Sequence, residues 1–227
     1  MGISLLLCGD VMTGRGVDQI LASPSRPVLY EPYVDSALDY VDLAETAHGP
    51  IPRPVDDAYV WGEALDILAS ERADVRIVNL ETSVTTSGDA EPKGINYRMN
   101  PENIPCITAA GIDCCTLANN HVLDWGHSGL IETLDILQKA GLKSAGAGIN
   151  QKHAETPAVI DVKGKGRVVV FSFGTTSSGI PGHWAAASMR PGVDMLRDLS
   201  ERTARDIAGR VFSVKQPADI VIASVHW

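Results

Sequence analysis

Four apolar segments, each of which is predicted to form a β-strand, are closely followed by a polar side chain that can bind a metal ion. The segments are ISLLL, VRIVNL, CCTLA and IVIASV, and the side chains are Asp10, Glu81, Asn120 and His226. Almost continuous apolar runs indicate strands that are buried on both faces, as in parallel sheets covered by helices. Because the carboxyl ends of parallel strands border the crevice where ligands bind, the four side chains are predicted to meet at one rim of a sheet.

Segments with a helical spacing of apolar residues alternate with these strands. Helices are predicted in GEALDILASERA, from Ser128 to Gly141, and within GVDMLRDLSERTARDIAGRVFSVK. The segment AVIDVKGKGRVVVFSF predicts a β-hairpin that turns at KGKG. Residues 23–59, rich in proline and aspartate, are predicted to be a surface loop or an insertion. The alternation of strands and helices predicts one layered α/β domain over residues 1–227.

The composition argues against some partners. The formal net charge is -9, from 28 acidic residues against 19 lysine and arginine residues. The acidic residues are scattered and no basic stripe is interleaved with aromatic residues, so a nucleic-acid partner is not expected. The four cysteines form no CxxC pair and are predicted to be buried free thiols of a reducing compartment; they are Cys8, Cys106, Cys114 and Cys115.

The N-terminal apolar run, Ile3 to Leu7, has no basic region before it. A run of this length is too short for a signal peptide or a membrane span, so it is predicted to be a buried strand. We therefore expect a cytoplasmic location with no membrane span in this chain. Association with a membrane-bound complex is compatible with this expectation.

The four strand-end side chains offer a mixed set of oxygen and nitrogen donors. Such a set suits Mn, Fe, Zn or Mg better than a metal that prefers thiolates. A carboxylate can also bridge two ions about 3.5–4 Å apart, an arrangement that clamps the attacking and leaving oxygens of a phosphate ester. Glu81 is the candidate for such a bridge, so the sequence predicts a divalent-metal site that holds one or two ions.

The histidine next to Asn120 is a candidate catalytic acid. His121 can protonate a leaving group, because an unperturbed histidine has a pKa of about 6.5. Asp124, three residues later, is predicted to orient His121 or a water molecule at the metal. The substrate-binding candidates are Asn119, Lys93 and Arg98, of which the two cations can hold a phosphate or a carboxylate.

Most of these residues also have a purely structural interpretation. Asp10 after a glycine can cap a helix or a turn, and Glu81 can simply begin a loop. Asn119 and Asn120 tolerate left-handed turns. His226 can be a hydrogen-bonded core histidine. Lys93 and Arg98 can be ordinary surface charges; the coincidence of four strand ends is what favours a site.

The motifs LLLCGDVMTGRG, ADVRIVNLETSVT, AGIDCCTLANNHVLDWG, GLKSAGAG and ADIVIASVHW resemble, in this order, the CapA family of poly-γ-glutamate (capsule) biosynthesis proteins. NLE and NNHxxDxG are the most specific of them, and the similarity extends over almost the entire chain. The family looks like a branch of the calcineurin-like metallophosphoesterases. The resemblance implies an α/β/β/α sandwich, metal-ligand roles for Asp10, Glu81, Asn120 and His226, and a role for His121 in acting on a phosphate.

The sequence departs from the wider superfamily pattern at three points. Met12 stands where Asp-x-His would place a further ligand, and Glu81 stands where an aspartate is usual. The family continues past His-Trp-Gly to a Gly-His-x-x-His type of motif, whereas this sequence ends at Trp227. The chain is therefore expected to be the N-terminal part of a longer fold, incomplete at its C-terminus, which alone binds metal weakly and is inactive.

Two functions are compatible with the resemblance. The first is a metal-dependent hydrolase of the phosphoesterase type, acting on poly-γ-glutamate or on a phosphorylated small molecule. The second is a non-catalytic accessory protein that binds an anionic polymer or a synthase partner. In the second case Lys93, Arg98 and loop amides would contact the carboxylates of the polymer.

Overall fold

The computed structural model describes residues 2–227. The strands are β1 Leu5–Val11, β2 Val75–Leu80, β3 Ser83–Val84, β4 Arg98–Met99, β5 Cys114–Thr116, β6 Lys143–Ala145, β7 Ala147–Gly148, β8 Ala158–Val162, β9 Gly166–Gly174, β10 Gly192–Val193 and β11 Ile220–His226. The helices are α1 Gly16–Ile20, α2 Leu38–His48, α3 Ala64–Ser70, α4 Pro105–Thr108, α5 Gly126–Lys139, α6 Gln151–Glu155 and α7 Glu201–Val214. Helices alternate with strands along most of the chain, as the sequence predicts.

Two sheets form the centre of the molecule. The first sheet has the strand order β1-β2-β5-β6, and all its pairings are parallel. The second sheet has the order β11-β9-β8, with β11 parallel and β8 antiparallel to β9. Two short additional pairs, β3-β4 and β10-β7, lie outside these sheets.

Three clusters of buried side chains hold the layers together. Helices α3, α4 and α5 cover the outer face of the first sheet through Leu68, Ile107 and Leu130. The two sheets share a second cluster, which includes Ile77 from β2 and Val168 from β9. Helix α7 packs on the outer face of the second sheet. The layer order is therefore helix, sheet, sheet, helix, which confirms the predicted α/β sandwich.

The alternation of side chains along a strand explains the adjacent buried cysteines. Cys114 belongs to the cluster between the sheets, whereas Cys115 belongs to the cluster under the helices. Successive side chains of a strand point to opposite faces, so two neighbouring thiols serve two different cores. Cys106, Cys114 and Cys115 are buried free thiols, as predicted.

Strand β1 differs from its prediction as a buried strand. It pairs with β2 on one side only, and residues 8–10 are exposed. Cys8 is consequently an exposed free thiol rather than a buried one. The apolar run at the start of the strand correctly predicts the strand, but a run of this kind does not distinguish an edge strand from a central one.

Two helices also differ from the sequence predictions. Residues 23–59, predicted to be a loop or insertion, contain α2, whose Val41 is buried in the main core. The long helix predicted over residues 192–215 begins only at Glu201, because the Ser200 side chain accepts a hydrogen bond from the Thr203 amide and caps it. No helix of residues 2–227 is long and apolar enough to cross a membrane.

Candidate metal centre

Three of the predicted ligands meet at the carboxyl ends of their strands. One ligand atom from each of Asp10, Glu81 and His226 lies within 4.8 Å of the other two. Asp10 is near the end of β1 and Glu81 follows β2, and the parallel pairing of these strands brings the two carboxylates together. His226 ends β11, in the other sheet. The centre therefore lies where the rims of both sheets meet, and not along one sheet as predicted.

Asn120 supplies a fourth donor at the same place. Its side-chain oxygen lies 2.8 Å from Nε2 of His226. Asn120 comes from the loop after β5, which the first sheet places next to β2. The four side chains predicted from the strand ends are thus brought into one cluster.

The two carboxylates of the cluster have opposite pKa shifts. Burial, together with a hydrogen bond and repulsion from Asp10, raises the pKa of Glu81 to about 8. Burial of Asp10 acts in the same direction, but hydrogen bonds from Asn79 and Glu81 and the nearby His226 outweigh it, so the pKa of Asp10 is lowered. Burial also lowers the pKa of His226. Of the two carboxylates, Glu81 is therefore the one that keeps its proton to the higher pH.

The donor set fits a divalent metal ion. The Glu81 side chain is buried, and its Oε2 has no hydrogen-bond donor among residues 2–227. A buried carboxylate oxygen of this kind needs a proton or a cation. Two carboxylates, one imidazole and one amide oxygen match the ligand preferences of Mn, Fe, Zn and Mg.

We expect metal binding to release one proton near neutral pH. The metal binds the ionised carboxylate, whereas Glu81 with a pKa of about 8 is protonated in the metal-free protein at pH 7. The apparent affinity for Mn²⁺ should therefore rise about tenfold per pH unit from pH 6.5 to 7.5 and level off above about pH 8. Titration calorimetry in buffers of different ionisation enthalpy measures both effects. An affinity that does not change with pH would mean that no proton is displaced from Glu81.

His121 faces the cluster and is held by Asp124. Nδ1 of His121 lies 2.6 Å from Oδ2 of Asp124, and its Nε2 lies 3.8 Å from Oε1 of Glu81. Asp124 is completely buried and also accepts hydrogen bonds from the Lys93 ammonium and the Tyr97 amide. The ring of Tyr97 stacks on the imidazole, with 4.0 Å between the ring centroids. These contacts fix the imidazole so that Nε2 is the nitrogen available at the centre.

The three candidates for substrate binding have different environments. Lys93 lies at the site, where its ammonium contacts Asp124 and the main-chain oxygen of Asn120. Asn119 is completely buried, and its amide donates to Asn79 and Leu80.

The Arg98 side chain also makes contacts within the protein. Its guanidinium donates to the main chain of Ser87 and Arg26 and lies 3.9 Å from the Trp125 ring centroid. The structure thus shows contacts of Asn119 and Arg98 within the protein, and their roles in substrate binding stay predictions. A role for Lys93 in substrate binding remains a prediction.

Asn79 contacts two of the candidate ligands, and the strand-end pattern did not assign it a role. Its Nδ2 donates a 2.7 Å hydrogen bond to Oδ1 of Asp10 and lies 3.5 Å from Nδ1 of His226. Its Oδ1 accepts from Asn119. Asn79 lies two residues before Glu81, so the alternation of side chains along an extended chain is the signal that could have identified it.

We expect Asn79→Ala to weaken metal binding about 10- to 100-fold without unfolding the protein. This is the usual effect of removing a group that orients a metal ligand, here the Asp10 carboxylate. Competition with a metal chelator measures the affinity, and circular dichroism checks the fold. Unchanged affinity would show that Asp10 needs no such orientation or binds no metal.

The fold and the site define a class of protein. Two facing sheets flanked by helices, with the candidate ligands at the strand ends, correspond to the metallophosphoesterase-like superfamily. A family model described as "Bacterial capsule synthesis protein PGA_cap" matches residues 4–227. The chain belongs to this family, which confirms the resemblance found in the sequence motifs.

Curated relatives carry related names. The chain is 47% identical over 227 residues to a "Probable polyglutamine synthesis accessory protein" of Mycobacterium tuberculosis. This alignment covers 99% of this chain and 60% of the relative. It is 30% identical to "Capsule biosynthesis protein CapA" of Bacillus anthracis and 26% identical to "PGA biosynthesis protein CapA" of Bacillus subtilis. These two alignments cover 99% of this chain and 46% and 49% of the relatives. The chain therefore spans about half to three fifths of the length of these relatives.

Proposed function

We propose that this CapA-like protein is a metal-dependent hydrolase of the phosphoesterase type that serves the synthesis of an anionic polymer such as poly-γ-glutamate. The role in polymer synthesis is supported by family membership and by the names of the relatives. The hydrolytic activity is supported by one observation above all. The ligand atoms of Asp10, Glu81 and His226 lie within 4.8 Å of one another, beside the oriented imidazole of His121. Because the chain spans only part of its relatives, the activity of the whole protein belongs to the proposal.

The metal-binding residues would be Asp10, Glu81, Asn120 and His226. One or two divalent ions held there would supply Lewis-acid polarisation of a phosphoryl oxygen and activation of water. In the proposed reaction, His121 donates a proton from Nε2 to the leaving oxygen, because Nδ1 is held by Asp124. The Lys93 ammonium offsets the charge of the buried Asp124 carboxylate. Asp124 thus holds the imidazole in this orientation.

A second candidate function is non-catalytic binding of the polymer or of a synthase partner. The M. tuberculosis relatives are named accessory proteins, which favours this alternative. The net charge of -9 argues against a broad polyanion-binding surface, although a local site around Lys93 remains compatible with it.

Metal analysis and a turnover assay distinguish the two functions. The full-length protein is stripped with a chelator, reloaded with Mn²⁺ or Zn²⁺, and assayed with bis(p-nitrophenyl) phosphate and with poly-γ-glutamate. The proposed hydrolase binds one or two ions per chain and hydrolyses the phosphodiester only after reloading. Binding of poly-γ-glutamate by the metal-free protein, with no metal uptake and no turnover, would support the accessory function instead.

A further inference from the structure

A cavity of about 330 Å³ lies beside the candidate metal centre and has no role in the proposed reaction so far. It is open to solvent and is lined by the segment after β1, by helices α1 and α2, and by a tyrosine of the segment that reaches His121. Its volume is within the range of small-molecule sites, about 300–1,000 Å³. The side chains that shape it are mostly apolar or aromatic; they include Met12, Ile20, Tyr40, Val41, Ile51 and Tyr97.

The cavity and the metal centre share a wall. Met12 lies two residues after Asp10, so the chain passes directly from the metal centre to the cavity. Tyr97 lines the cavity and also stacks on the His121 imidazole. A ligand whose phosphate lies at the metal centre therefore has an apolar space next to it.

The only cationic side chain among the cavity-lining residues is already compensated. Nε of Arg15 lies 2.6 Å from Oε1 of the buried Glu31, whose other carboxylate oxygen accepts a 2.6 Å hydrogen bond from the Tyr40 hydroxyl. The Arg15 guanidinium also lies 4.8 Å from the ring centroids of Tyr40 and Tyr97. Its charge is offset by Glu31 and its flat faces lie against aromatic rings, so Arg15 forms part of the wall, although its buried Nη2 has no hydrogen-bond partner among residues 2–227.

We propose that this cavity binds the apolar part of the substrate, and that the substrate is a phosphate ester with an alkyl or aryl group next to the phosphate. The inference rests on the proposed function, because it assumes that the phosphate binds at the metal centre. The cavity would favour amphiphilic esters, because a fully polar chain of carboxylates would gain no binding free energy from apolar walls. Met12 serves as a wall residue of the cavity.

A series of n-alkylphosphonates from methyl to hexyl tests the inference. Each is titrated calorimetrically into the full-length, Mn²⁺-loaded protein. The affinity is expected to rise about two- to fourfold per added methylene until the cavity is filled, because each methylene leaves water for an apolar environment. Ala44 lines the cavity from α2, so Ala44→Phe should fill it and remove the dependence on chain length. The matched control is Ala47→Phe, at an exposed position of the same helix, which should retain the dependence.

The outcomes separate the inference from the proposed function. Equal affinities along the series, with metal bound and methylphosphonate binding intact, would overturn the inference and leave the proposed function standing. Retention of the chain-length dependence in Ala44→Phe would also overturn it, because the apolar group would then bind elsewhere. A protein that takes up no metal would contradict the proposed function, and the same series without metal would still show whether the cavity selects long chains.

Discussion

Glu81→Ala is expected to lower the affinity of the full-length protein for Mn²⁺ or Zn²⁺ by at least about a hundredfold, so that the purified variant contains no metal. Glu81 is the most buried of the three clustered ligands, and its Oε2 has no donor among residues 2–227. The affinity lost with Glu81 should exceed the 10- to 100-fold loss that follows removal of a group that only orients a ligand. The fold should persist, because burial opposes ionisation of this carboxylate and its removal relieves that cost.

The control for this variant is Glu71→Ala, which removes an exposed carboxylate at the end of α3. Metal content per chain, measured by elemental analysis after dialysis, should be one or two ions in this control and in the unmodified protein. If Glu81→Ala retained the full metal content, the buried carboxylate would not be a ligand and the centre would need another composition.

His121→Ala is expected to reduce turnover of a phosphate ester by at least about a hundredfold while the metal content stays unchanged. General acid catalysis contributes about 10²–10⁴ to a rate, and the loss should be largest where the leaving group most needs a proton. The effect should therefore be larger for β-glycerophosphate, which releases an alcohol, than for bis(p-nitrophenyl) phosphate. Asp124 keeps two donors in this variant, Lys93 and the Tyr97 amide, so its burial remains satisfied.

The matched control is His127→Ala, an exposed histidine at the start of α5. Its turnover should equal that of the unmodified protein. A metal-loaded His121→Ala variant with normal turnover on both esters would remove His121 from the reaction. If Asn120→Ala were equally active, the accessory function would be the better interpretation.

The candidate site could be predicted largely because strand ends are local features of a sequence. An apolar run that stops at a polar residue identifies the end of a strand, and topology then places such ends at a rim. Asp10, Glu81 and His226 were found in this way, and their clustering agrees with the prediction. The prediction of a single rim was incomplete, because nothing in the runs themselves assigns β11 to the second sheet.

The residues that the sequence did not indicate depend on tertiary contacts. Asn79 lies inside β2, and the role of a polar residue there can be inferred only once the direction of its side chain is known. Tyr97 comes from a segment without a periodic pattern of apolar residues, and it contacts His121, which lies 24 residues later in the sequence. Helix α2 was missed because residues 23–59 are dominated by proline and aspartate, whereas burial of Val41 against the core stabilises the helix.

Anomalous diffraction from crystals soaked in Zn²⁺ tests most directly whether the separated strands form one metal centre. The predicted result is a peak within about 2.0–2.2 Å of a carboxylate oxygen of Asp10 or Glu81 and of a ring nitrogen of His226, with or without a second ion nearby. A peak at other residues, or none where these three side chains meet, would contradict the assignment of the metal centre and the hydrolytic function that depends on it.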